Sequence, residues 1–180
     1  MIPSNTPLYS LRPATLDDAY AIWQIMDTCA QALEHKEYFI CDDLDYVKDI
    51  LSGHGFAVVA CDTDGNIVGN LLVKYPGLTE ENLGYDVFAE KETEDNLMRV
   101  VHMDSSSVHP KHRGHGLESQ MIAYAETLVD TSKYCYSLAT VAPDNLASLK
   151  SLERIGYQVM VTKEKYGGLV RSVLMKTLKS

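Results

Sequence analysis

Between Val108 and Glu118 the chain reads Val-His-Pro-Lys-His-Arg-Gly-His-Gly-Leu-Glu. A strand-like run, Leu97 to Val108, leads into this turn, and a helical stripe of Leu117, Met121, Ala125 and Leu128 leads out of it. A strand that passes through Gly114 and Gly116 straight into an amphipathic helix constrains the fold more than any other feature, because the helix must bury its apolar face against a sheet. The turn also creates an anion site: the free N–H groups of a first helical turn and the positive end of the helix dipole converge on one spot, and glycine lets a phosphate approach the backbone. Arg113 adds a permanent charge. No Gly-Lys-Ser/Thr and no G-x-G-x-x-G pattern is present, so the usual nucleotide-binding readings do not apply.

The remaining elements follow from periodicity. Tyr9 to Arg12 predicts a short strand ended by Pro13, and Thr15 with Asp18 three residues on predicts a capping box. Leu16, Ala19, Trp23, Met26, Ala30 and Leu33 then predict a helix, and Leu44, Val47 and Ile50 or Leu51 a second one ended by Gly53 and Gly55. Phe56 to Cys61 and Ile67 to Val73 form a hairpin around Asp64-Gly65. Tyr134 to Val141 reads as a strand, Leu146, Leu149 and Leu152 as a helix closed by Gly156, and Tyr157 to Val161 and Leu169 to Met175 as final strands around Gly167-Gly168. The segment from Tyr75 to Asn96 breaks the regularity. It carries Glu80, Glu81, Asp86, Glu90, Glu92, Glu94 and Asp95 against one Lys91, and reads as a surface loop or an added element within a single domain spanning residues 1–180. This order implies an α/β (α+β) fold with a mixed, mostly antiparallel sheet flanked by helices.

Composition narrows the function. A net charge of −9 and a pI near 5.0 argue against nucleic acid as a partner, since phosphate binding needs a basic face. No apolar run approaches the roughly 20 residues of a membrane span, and the start shows no secretory pattern, so the expected compartment is the cytoplasm. Cys29, Cys41, Cys61 and Cys135 lack C-x-x-C spacing and read as reduced thiols without a catalytic role.

From Val108 through Glu118 the sequence resembles motif A of the GCN5-related N-acetyltransferases, the Arg/Gln-x-x-Gly-x-Gly/Ala loop that holds the coenzyme A pyrophosphate. Arg113, Gly114 and Gly116 match, and Glu118 stands where the motif has Gly or Ala. Asp144 to Tyr157 resembles the same family's Asn-started helix ending in Gly-Phe/Tyr. The resemblance implies a ternary complex in which a primary amine attacks acetyl-CoA directly. It places Arg113, Gly114, His115, Gly116, Leu117 and Glu118 around the pyrophosphate, Ser106 to Val108 along the pantetheine arm, the Val108 N–H at the thioester oxygen, Asn145 on the cofactor arm and Lys150 near its phosphates. The family's tyrosine acid falls at Leu152, a second departure.

Two candidate bases, His102 and Asp104, share one face of the strand entering the loop by the alternation of strand side chains; either is equally readable as a core histidine or a strand-end carboxylate. Asp42, Asp43 and Asp45 with the acidic segment offer a negative rim for an ammonium-bearing acceptor, or simply a solvated face. His109, His112 and His115 recur at every third residue, but the loop position and the lack of a completing ligand argue against a metal site. The expected partner is a small-molecule or peptide amine, with a homodimer through the final strands possible. The alternative is a non-catalytic acyl-CoA-binding domain of the same fold.

Overall fold

The computed structural model describes residues 8–89 and 93–179. Glu90, Lys91 and Glu92 of the acidic segment, and the first seven residues, lie outside the described residues. The elements run β1 (Ser10–Pro13), α1 (Ala19–Ala32), α2 (Leu44–Asp49), β2 (Gly55–Cys61), β3 (Ile67–Lys74), α3 (Gly84–Val87), α4 (Thr93–Leu97), β4 (Val100–Val108), α5 (Leu117–Leu128), β5 (Tyr136–Val141), α6 (Leu146–Arg154), β6 (Gln158–Lys165) and β7 (Leu169–Thr177). They build one seven-stranded sheet in the order β1-β2-β3-β4-β5-β7-β6, antiparallel throughout except for β4 against β5. The mixed, mostly antiparallel sheet inferred from the sequence is thus the observed one.

Local chemistry explains most boundaries. Thr15 N–H donates to the Asp18 carboxylate at 2.8 Å, and the same carboxylate takes two bonds from Arg12 at 2.7 and 2.8 Å, holding Asp18 down to about 2. Pro13 belongs to β1 rather than ending it, which an edge strand tolerates because the missing N–H faces no neighbour. α2 continues as a wider turn over Ile50–His54 before Gly53, at φ 137°, breaks it. The strand predicted from Leu97 begins at Val100, since Leu97 ends α4 and is buried, and the one predicted from Tyr134 begins at Tyr136. β6 runs four residues past Val161, because its ladder with β7 continues through Lys165 opposite Leu169.

Two layers of helix cover the sheet. On one face Leu117, Met121, Ile122 and Ala125 of α5 and Leu152 of α6 pack on Val58, Leu71, Val101 and Met103. On the other, Ile22 and Met26 of α1 and Val47 of α2 pack on Ala57, Val59 and Leu72. α1 and α2 do not reach the far strands. There Leu83, from the acidic segment, closes over Val100, Leu138 and Val173. The described residues of the acidic segment thus cover the sheet at this end and carry a buried anchor. Fully buried Asn82 donates to the carbonyls of Gly77 and Leu97 at 2.5 and 3.0 Å and accepts from Gly84 N–H at 2.8 Å. Burying one leucine such as Leu83 contributes about 1.5–3 kcal/mol.

Gly55 is required by a close approach: a Cβ there would lie 1.9 Å from the Val73 carbonyl oxygen of the neighbouring strand. Gly55→Ala is expected to cost about 2–3 kcal/mol, lowering Tm by roughly 5–10 °C in a thermal melt.

Candidate functional site

β4 and β5 pair over only three residues, Val100 to His102 against Tyr136 to Leu138. Beyond that point β4 pairs with β3 alone and β5 with β7 alone, so the sheet opens between two parallel strands. The parting coincides with a bulge. Val73 faces Met103 and Leu72 faces Ser105, leaving Asp104 without a partner in the ladder, and such an insertion bends its strand and increases the twist. A cavity of about 1000 Å³ occupies the opening and continues from the start of α5 past β4 to α2.

At one end lies the glycine turn. Gly114 and Gly116 have φ of 83° and 68°, the left-handed region that glycine enters without strain, and Gly116 is the residue preceding α5. The first α5 bond in that turn runs from Gln120 N–H to the Gly116 carbonyl, so the amides of Leu117, Glu118 and Ser119 are the uncommitted N–H groups of a helix start. The cavity is lined here by Arg113, Gly114, Gly116, Leu117, Glu118 and Asn145. Arg113 is exposed and its Nε donates to the Val108 carbonyl at 3.3 Å. Asn145 Oδ1 caps α6 by accepting Ser148 N–H at 3.3 Å, which leaves its amide nitrogen as the donor. Two of the predicted residues stand apart. The His115 ring packs on Tyr9 with centroids 5.3 Å apart, and exposed Lys150 is not among the cavity-lining residues, where Arg154 of the same helix is.

The opening itself is lined by Ser106, Val108 and Leu152. His109 N–H donates to the Val68 carbonyl, and the alternation of an antiparallel ladder then turns the N–H and C=O of Val108 away from β3; the carbonyl accepts from Cys29 Sγ at 3.2 Å and from Arg113, and the N–H is left toward the gap. The Ser106 hydroxyl is buried without a hydrogen-bond partner among the described residues. A buried, unsatisfied hydroxyl beside unpaired strand edges fits an extended, amide-bearing ligand that would supply the missing bonds. Leu152 is buried in the core, so no side-chain hydroxyl faces the gap from that position.

At the far end sit Asp104, Asp42 and Tyr46. The Tyr46 hydroxyl donates to Asp104 at 2.8 Å and the Ser105 hydroxyl donates to Asp42 at 3.2 Å. Burial pushes Asp104 up to about 6; the bond from Tyr46 opposes that shift and the neighbouring Asp42 reinforces it. Asp42 is likewise raised by burial. His102 does share the face of Asp104, but its Nε2 accepts the Leu83 N–H at 3.1 Å, and burial pushes it down to about 3. Its lone pair is thus spent on the acidic segment, which gives it an anchoring role, whereas the Asp104 carboxylate lines the cavity and accepts the Tyr46 hydroxyl.

Of the acidic rim, Asp86 is tied to Lys163 at 2.7 Å and to Lys165, and Glu81 to Lys74, so much of its charge is already answered; burial alone would raise Asp86, yet the two lysines bring it below the usual range. Asp42, Glu80 and Glu81 do border the cavity. Tyr46 and Ser105 escaped the sequence reading because nothing local marks them: Tyr46 meets Asp104 across 58 residues, and only the bulge brings Ser105 to the face of its neighbour Asp104.

The sequence profile described as the acetyltransferase (GNAT) family matches residues 19–157. No curated protein matches. Among solved structures, the chain is similar to a putative acetyltransferase from Salmonella typhimurium with acetyl-CoA, at 18% identity and TM-score 0.68 over 96% of this chain and 95% of that one. It is also similar to a phosphinothricin acetyltransferase from Sinorhizobium meliloti in complex with acetyl-CoA, at 15% identity and TM-score 0.68 over 96% and 89%. A third, Naa20 from Chaetomium thermophilum with a bisubstrate analogue, shares 16% identity at TM-score 0.71 over 94% and 86%. At these identities the structural likeness speaks to the fold. Among the described residues no helix is long and apolar enough to cross a membrane.

A carboxyl raised by folding binds its proton more tightly in the native state, so Asp104 lowers stability as pH rises from about 4 to about 6 and beyond it stays a cost. Asp104→Asn, which keeps an acceptor for Tyr46, is expected to be about 1–3 kcal/mol more stable than the parent at pH 7.5. The advantage should vanish by pH 4 in denaturant melts.

Proposed function

Since the chain belongs to the acetyltransferase (GNAT) family, we propose that it is an acetyl-CoA-dependent N-acetyltransferase acting on a primary amine by direct attack in a ternary complex. The observation that carries this reading is the opening between β4 and β5, with the Val108 N–H turned into it, a helix start at one end and a raised carboxylate at the other. Bound acetyl-CoA would supply the activated acetyl group. The α5 amides and Arg113 would hold its pyrophosphate, the edge at Ser106 and Val108 and the amide of Asn145 its arm, through the backbone of Gly114, His115, Gly116, Leu117 and Glu118. Lys150 serves at most as a peripheral charge near the phosphates.

The residues of this chain divide the remaining work. Val108 N–H donates to the oxygen on which negative charge develops, fixed in place by the strand that carries it. Asp104, ionised above about pH 6, takes the proton of an incoming ammonium, and Tyr46 keeps its carboxylate aimed. Asp42 supplies a second negative charge that favours a cationic acceptor at that end, which suits a small-molecule or peptide amine. Leu152 offers no acid, and none is required. A thiol with a pKa near that of cysteine, about 8.5, departs as the thiolate without protonation.

Calorimetric titration with acetyl-CoA tests the cofactor assignment, and Arg113→Ala is expected to weaken binding about ten- to a hundredfold without altering the melt; an unchanged Kd would remove the pyrophosphate from this turn. In an amine screen for released thiol, Asp104→Asn should lower kcat/KM by about 10²–10³ and abolish an acid limb near pH 6. Binding with no transfer to any amine would convert the reading to a non-catalytic acyl-CoA-binding domain.

A further inference from the structure

Glu118 is the second residue of α5, and its carboxylate leaves the helix start to accept the Ser148 hydroxyl of α6 at 3.0 Å, inside the wall of the cavity. The first turn of a helix favours a negative charge, and the side chain of Glu118, though turned to α6, lines the same end of the cavity as that turn. The chain thus carries a carboxyl group of its own beside the place where the proposed pyrophosphate arrives. The hydrogen-bonding groups facing Glu118 from α6 are Ser148 and Ser151. The charged groups at this end are Arg113 and His112 from the turn and Arg154 from α6, and none makes an ion pair with Glu118 among the described residues. The strands beside it contribute Ser106, Val108, Ala139 and Val141, none of them titratable.

From this juxtaposition we propose that Glu118 links cofactor capture to a proton, so that coenzyme A binds to the form of the site in which Glu118 is protonated and is weakened when Glu118 is ionised. The inference rests on the acetyl-CoA reading above and adds a determinant that discriminates between charge states of the ligand. Its physical basis is the mutual repulsion of a carboxylate and a pyrophosphate that face one end of the same cavity in a partly buried setting, where charges are poorly screened. Burial raises Glu118 from its ordinary value, with the two serine hydroxyls opposing, which is the direction that favours the protonated form. The sign follows: affinity falls as pH rises through the Glu118 titration, and binding above it takes up as much as one proton per cofactor.

The test is calorimetric titration of coenzyme A from pH 5 to pH 8, in two buffers of different ionisation enthalpy, on the parent, Glu118→Gln and Glu118→Ala. Dephospho-coenzyme A is run in parallel, because it lacks the 3′-phosphate that titrates in the same range. The glutamine keeps an acceptor for Ser148 and the alanine removes it, so the charge is separated from the link between helices. The expected result is that both variants bind about tenfold tighter than the parent at pH 8 and no tighter at pH 5, with the parent's extra proton uptake absent from both and the same difference seen with dephospho-coenzyme A. Equal affinities and equal proton counts in parent and variants, or an affinity ratio that does not change with pH, would overturn the role of Glu118 while leaving the cofactor site standing. Failure of all three proteins to bind at any pH would overturn the cofactor reading and this inference with it.

Discussion

The parting of β4 from β5 after three residue pairs is the constraint on which the rest of the molecule turns. Two parallel strands that stop pairing expose unsatisfied backbone groups in the middle of a sheet, a situation normally confined to edges. The fold sustains it because β3 holds β4 on one side, β7 holds β5 on the other, and α5 and α6 pack across the sheet beneath the opening. The gap is therefore flanked on both sides by paired strands of the scaffold. It brings the end of β4, the helix start after it and the cap of α6 to one cavity without requiring any loop to close.

The bulge at Asp104 lies next to that parting and turns a strand residue into a site residue. By losing its ladder partner Asp104 comes within reach of Tyr46, and α2, which carries Tyr46, is held by Val47 in the core on that face. The resulting environment is dry enough to raise a carboxylate yet supplies a donor that orients it, the balance on which the proposed role of Asp104 rests. His102, two residues earlier and unaffected by the bulge, is drawn into structure. The acidic segment uses it as an anchor, which shows how one strand face divides between covering and chemistry.

Glycine turn, strand alternation and helix periods are local properties, and they were legible. The order of elements, the hairpin at Asp64-Gly65, the capping box at Thr15 and the glycine turn before α5 each follow from residues within a few positions of one another. The family resemblance added the cofactor and the direction of the reaction. Less legible was the segment from Tyr75 to Asn96, where an excess of acid suggested surface while the packing depends on Asn82, Leu83, Val87 and Phe88, scattered among the acidic residues.

The sequence by itself determined the mixed α/β architecture and the position of the glycine turn and of the helix start that follows it, because hydrophobic period and glycine at positive φ act over one or two turns of chain. Only the tertiary structure set His102 against Leu83 and Asp104 against Tyr46, brought Ser105 to Asp42, paired Asp86 with two lysines from β6 and tied Glu118 to α6. Each of these depends on burial and on a partner distant in the chain. Those are the two quantities that set proton affinity and that no local pattern encodes.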